Sequence, residues 1–187
     1  MTYDTYKNAL SRYPVEMAII TLDYCNNTIG TSPCAAIDWC GKPGLYCGLA
    51  TAYCGGIQGR CYNTYGTCKD KTHFSKGTKD YIFTSNNAPL PFKTGERPYI
   101  KEVKHLPTEI KTSLTVAGRV NVVMYDEPDT DIGVDPYVST RSSVQGSFWR
   151  KLIARNPNYA GRRIRLYQGF YGLAAVDFAQ KFEGNID

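Results

Sequence analysis

Met17 to Cys25 reads MAIITLDYC, a β-branched run from Met17 to Asp23 that delivers the chain straight to a cysteine. From there to Cys68 the chain holds all seven of its cysteines, and the residues before and after hold none. The last five, Cys40, Cys47, Cys54, Cys61 and Cys68, recur at every seventh position. The run predicts a strand, because β-branched residues suit a pleated, half-buried surface. Asn26 to Thr72, immediately beyond it, is turn chemistry: Asn-Asn, Gly, Pro and Gly-Gly between the thiols. A loop of that length without its own core is uncommon in a compact domain and calls for something to hold it. Thiols gathered in such a stretch provide either disulfides or a metal centre.

Working outward, the chain continues to read as strands. Asp80 to Thr84 (DYIFT), Tyr99 to Lys104 (YIKEVK) and the two β-rich runs within Thr112 to Asp126 have strand character. Val120, Val122 and Met124 alternate with Arg119, Asn121 and Val123, the period of a half-buried strand. Arg162 to Tyr171 and Ala174 to Phe182 are the last two expected strands. Tyr6 to Arg12 reads as a short helix stopped by Pro14. Ser147 to Arg155 (SFWRKLIAR) is the best helix, with Phe148, Leu152 and Ile153 as its apolar face and Asn156-Pro157 as its stop. Fifteen Tyr point the same way, towards a mainly β fold, an α+β arrangement with one or two short helices. The expected organisation is an N-terminal arm, 1–15, and one domain, 16–187, that includes the Cys-rich loop 24–72.

Composition narrows the function. At 187 residues and 42% hydrophobic, the chain buries one good core. No stretch approaches the roughly 18–20 apolar residues of a membrane span. The opening MTYDTYKNALSRYP is polar and has no apolar core of a secretory signal, which disfavours a secreted, disulfide-rich binding module. So does the odd number of thiols. A net charge of +5 is mild, and the densest basic stretch, Arg150 to Arg165, alternates with apolar residues, so direct nucleic-acid binding is not expected.

The thiol spacings are x8, x5, x6, x6, x6 and x6, without the C-x2-C knuckle that zinc ribbons prefer. That weakens zinc; irregular spacing is less of an objection to an iron–sulfur cluster, whose ligands can come from wider loops. Spacing alone leaves disulfides and unligated thiols open. Neither His73 nor His105 has a legible nucleophile and carboxylate beside it, and no phosphate loop is present. The chain is therefore not expected to be an enzyme. Asp126, Glu127, Asp129, Asp131 and Asp135 lack calcium-loop spacing and read as a solvated turn. Trp149 reads as a core or interface residue.

The residues around the cysteines form a specific order. Asp23-Tyr24-Cys25 comes first, then Ser32-Pro33-Cys34, then Cys61-Tyr62-Asn63-Thr64-Tyr65-Gly66-Thr67-Cys68-Lys69-Asp70. Much later come Asp135-Pro136-Tyr137, Gly146-Ser147-Phe148-Trp149, Ala154-Arg155-Asn156-Pro157 and Gly161-Arg162. Together, from about Ala18 to Asp187, they resemble the baseplate hub or tail-tip hub proteins of long-tailed bacteriophages and gene transfer agents. The resemblance implies a barrel-like or split-barrel hub domain in the virion tail tip, assembled in the host cytoplasm. It implies a homotrimeric ring between tail tube and tip, with the distal tail protein and tail-tip or central-fibre proteins as partners. It also implies a [4Fe–4S] cluster held by Cys25, Cys34, Cys61 and Cys68.

The segment Cys40 to Gly59 departs from that pattern as an insertion. Its three thiols, Cys40, Cys47 and Cys54, are open to pairing, to remaining free or to replacing a ligand. The family pattern also implies a chain continuing past Asp187, either completed by another polypeptide or shortened here. The competing reading is a small soluble iron–sulfur or zinc protein in electron transfer.

Overall fold

The computed structural model describes residues 3–8, 13–34, 60–85, 97–106, 109–110, 116–140 and 143–187. The connection 86–96 and the cysteines Cys40, Cys47 and Cys54 lie outside the described residues. The fold is mainly β, with two helices among the described residues, as the sequence leads one to expect. It divides into two compact units: Met1–Ile20, Tyr81–Tyr125 and Arg163–Gly184 form the first, and Thr21–Asp80, Asp126–Arg162 and Asn185–Asp187 the second.

In chain order the elements are α1 (Tyr3–Lys7), β1 (Pro14–Cys25), β2 (Lys76–Ser85), β3 (Arg97–His105), β4 (Glu109–Ile110) and β5 (Val116–Ala117). Then come β6 (Val120–Met124), α2 (Phe148–Arg155), β7 (Arg163–Phe170) and β8 (Ala179–Asn185). The first unit is built on a curled half-barrel sheet ordered β6-β3-β2-β1-β7-β8. β1 and β7 pair antiparallel from Pro14↔Phe170 to Ile20↔Ile164, whereas β2 and β3 run parallel. β1 is central, and Val15, Met17, Ala18 and Ile20 are all buried. A strand covered on both faces has no reason to alternate, which is why MAII is continuous and apolar.

Val15, Met17, Phe170, Leu173 and Phe178 form the core of this unit, with Tyr3, Ile19, Ile82 and Tyr167 packed against them. Phe178 lies flat on Gly169: a Cβ there would stand 2.3 Å from the ring, so the pairing needs a residue with no side chain. Val120 to Met124 alternates between half-buried and exposed positions, matching its sequence period. The last strand starts later than the sequence suggests, because Ala175–Asp177 forms a 3-10 turn before it.

In the second unit, α2 sits where the sequence places it, but with a different inner face. Phe148 and Leu152 are buried, whereas Ile153 is 44% exposed. Lys151 and Arg155 are buried instead. The reason is Asp131, only 1% exposed, which pairs with Lys151 at 3.3 Å and with Arg155 at 2.7 Å. The expectation of a solvated acidic turn thus fails at Asp131 and at the buried Asp135. Asp131 takes a positive φ of 69°, its N–H donates to Asp129 Oδ1, and its Oδ2 accepts the Val144 N–H at 2.7 Å.

Candidate metal centre

The four cysteines implied as ligands all lie in the second unit, and all four are free thiols. Cys25, Cys34 and Cys61 are buried, and Cys68 is partly exposed. Three local devices deliver them. Cys25 is the last residue of β1, and its N–H donates to Asn63 O at 2.7 Å. Cys34 closes a turn by donating its N–H to Thr31 O at 2.8 Å. Cys61 and Cys68 flank a 3-10 turn, Tyr65–Thr67, in which the Cys68 N–H donates to Tyr65 O. The threonines of that motif hold the turn from inside. Thr67 Oγ1 accepts the Tyr62 N–H at 3.1 Å, and it lies 2.9 Å from Thr64 Oγ1.

Two of the sulfurs receive the same hydrogen bond. The N–H of Asn63 donates to Cys61 Sγ at 3.4 Å, and the N–H of Asp70 donates to Cys68 Sγ. In both cases the donor is two residues beyond the cysteine. For Cys68 the Asp70 N–H favours the thiolate; the Cys61 sulfur also donates to Asn63 Oδ1 at 3.6 Å. The Cys68 thiol is nevertheless pushed up, first by burial and further by the charges of Cys25, Cys34 and the Asp70 carboxylate, while the Asp70 N–H opposes them. Among the described residues, no group of three or more His, Cys, Asp or Glu stands ready to hold a metal ion.

The residues that organise the site are not singled out by the sequence, although several stand in the motifs around the cysteines. Asn63 is buried with φ 57°, a left-handed conformation that Asn tolerates better than most residues. Its Nδ2 donates to Cys25 O at 3.2 Å and to Asn27 O at 3.3 Å. Its Oδ1 accepts the Tyr137 hydroxyl at 2.7 Å, and that hydroxyl in turn accepts the Ile29 N–H at 2.9 Å. Arg155 lies over the Tyr62 ring at 4.0 Å, and its carbonyl accepts the Thr64 hydroxyl at 2.5 Å. A Cβ on Gly66 would stand 3.1 Å from Pro157, so the cysteine turn abuts the end of α2. Arg162 pairs with Asp23 at 2.7 Å. The one signal that would have found Asn63 is its place two residues after a cysteine, inside a turn. His73 is an exposed residue paired with Asp70 at 2.9 Å.

Comparison of the chain with family models, curated proteins and solved structures finds no match. No helix among the described residues is long and apolar enough to cross a membrane.

Proposed function

We propose that this chain is a structural component of a phage tail tip, a ring subunit between tail tube and tip. In this reading Cys25, Cys34, Cys61 and Cys68 hold a [4Fe–4S] cluster that staples the long loop. One observation carries the reading: several of the motifs behind the hub resemblance, distant in sequence, meet beside the motifs that bear Cys25, Cys61 and Cys68. Tyr137 reaches Asn63, Arg155 reaches Tyr62 and Thr64, and Arg162 reaches Asp23.

The donor set supports the cluster. Three of the four thiols are buried, and two sulfurs accept backbone N–H groups. A bound cluster would cross-link three separate stretches of chain, and its binding free energy becomes folding free energy for a segment with little core of its own. The protein's own contribution is to orient the thiols through Asn63, Thr64 and Thr67. No nucleophile–base pair is used in this role, and the reading is of a structural protein, not an enzyme. Its partners are further copies of itself, most simply three, with the distal tail protein and tail-tip or central-fibre proteins.

Chain purified without oxygen is expected to contain about four iron and four sulfide and to absorb broadly in the visible. Ala at Cys25, Cys34, Cys61 or Cys68 removes that absorbance, and Ala at Cys40, Cys47 or Cys54 leaves it. Zinc in place of iron overturns the cluster, and colour lost on Cys47→Ala or Cys54→Ala overturns the ligand assignment. Rapid electron exchange with a soluble partner would make it an electron-transfer protein instead.

A further inference from the structure

We infer that Tyr137 and Asn63 form a positioning pair that sets the relative placement of the two thiol-bearing turns. This inference rests on the reading of the four cysteines as cluster ligands. A phenol hydroxyl has one proton to donate and lone pairs to accept with. At Tyr137 both capacities are used on the site: the proton goes to Asn63 Oδ1 at 2.7 Å, and the oxygen accepts the Ile29 N–H at 2.9 Å. Ile29 lies between Cys25 and Cys34, and Asn63 lies between Cys61 and Cys68. One oxygen atom thus ties both halves of the ligand set.

Asn63 extends the tie. Its carboxamide is held at both ends, by Tyr137 at Oδ1 and by the Cys25 and Asn27 carbonyls at Nδ2. Its carbonyl accepts the Cys25 N–H at 2.7 Å, and its own N–H donates to Cys61 Sγ at 3.4 Å. Tyr137 is itself fixed from behind. Its N–H donates to Asp135 Oδ1 at 2.9 Å, and the Asp135 N–H donates to Asp131 O at 2.9 Å. Asp131 is the buried partner of Lys151 and Arg155. The chain of bonds runs from the helix α2 charges through Asp131, Asp135 and Tyr137 to the backbone that presents Cys25 and Cys61. Neither Tyr137 nor Asn63 is a ligand; both act through the ligands they orient, as outer-shell partners do at metal sites.

Two substitutions separate this role from folding. Tyr137→Phe removes one oxygen and keeps the ring. Asn63→Gly keeps the left-handed backbone and the N–H aimed at Cys61, and removes only the carboxamide. Wild-type and variant chains are reconstituted with ferrous iron and sulfide without oxygen. Iron release to a chelator is then timed, and the reduction potential of each loaded chain is measured. Both variants are expected to take up iron and sulfide and to release iron about 10–100-fold faster than the wild type, as loss of outer-shell partners does elsewhere. Both are also expected to show a displaced potential.

Release at the wild-type rate with an unchanged potential in Tyr137→Phe overturns the pair and leaves the cluster reading standing. A Tyr137→Phe chain that loses its far-UV signal even without iron makes the hydroxyl a folding residue and also overturns it. A wild-type chain that takes up no iron and sulfide overturns the cluster reading, and the pair with it.

Discussion

At the scale of single residues, the protein is most informative where a charge is buried. Asp131 is almost inaccessible. Burial pushes its carboxyl up, but the Arg155 hydrogen bond, the Val144 N–H and the Arg155 and Lys151 charges outweigh it, so Asp131 titrates below the ordinary range. A carboxylate with a depressed folded value stabilises the fold fully above its unfolded pKa, about 4, and less as pH falls through the folded value. Asp131→Asn leaves Lys151 and Arg155 without a counter-charge and should cost about 3–5 kcal/mol at neutral pH. The loss should shrink in acid, and urea titrations at pH 7 and at acid pH read both effects. Glu16 behaves in the opposite sense: burial raises its pKa, with His105 opposing. Its charge therefore opposes folding at neutral pH, and Glu16→Gln should raise the urea midpoint at pH 7. That gain should fade as pH drops through the raised value.

The elements show how far local pattern reaches. β1, β6, β7 and α2 were legible because each carries its own period or run, and Asn156-Pro157 ends the helix on schedule. The inner face of α2 was not legible. Lys151 and Arg155 are polar by every local rule and are buried only because Asp131, a long way back in the chain, meets them. The start of α2 is set in the same non-local way. Its N-cap Ser147 donates its hydroxyl to Asp126 Oδ2 at 2.6 Å, and Asp126 Oδ1 accepts the Trp149 N–H at 3.0 Å. Asp126 thus satisfies a first-turn donor that a capping residue usually takes. Asp126→Ala should cost about 0.5–2 kcal/mol, the range for a lost cap. Leu152→Ala should cost about 2–5 kcal/mol, because its side chain is buried. Ile153→Ala, at an exposed position, should stay within about 0.5 kcal/mol. Denaturant melts of the three variants check the ordering, and an Ile153 effect as large as that of Leu152 would contradict the observed face.

At the scale of the molecule, the cysteines named themselves by clustering, but their supports did not. Tyr137, Arg155 and Arg162 are separated from the thiols by long stretches of sequence, and no composition or spacing rule relates them. Their relation to the thiol-bearing turns is visible only as contacts: Tyr137 to Asn63, Arg155 to Tyr62, Arg162 to Asp23. Under the proposed function this arrangement has a consequence for assembly. A ring subunit must present a fixed surface to its neighbours, because closed symmetry repeats any misplacement at every interface. If the cluster staples the loop, a chain with Cys25, Cys34, Cys61 and Cys68 all replaced by Ala folds its sheet but leaves the loop unanchored. Far-UV spectra should then keep their β signature while particles stall before the tail is complete. Wild-type chain, expressed with its tail partners, should enter particles at a fixed ratio, with three copies around the tail axis. Particles that complete and infect with the four-Ala chain would separate the cluster from assembly and leave the structural role without its staple.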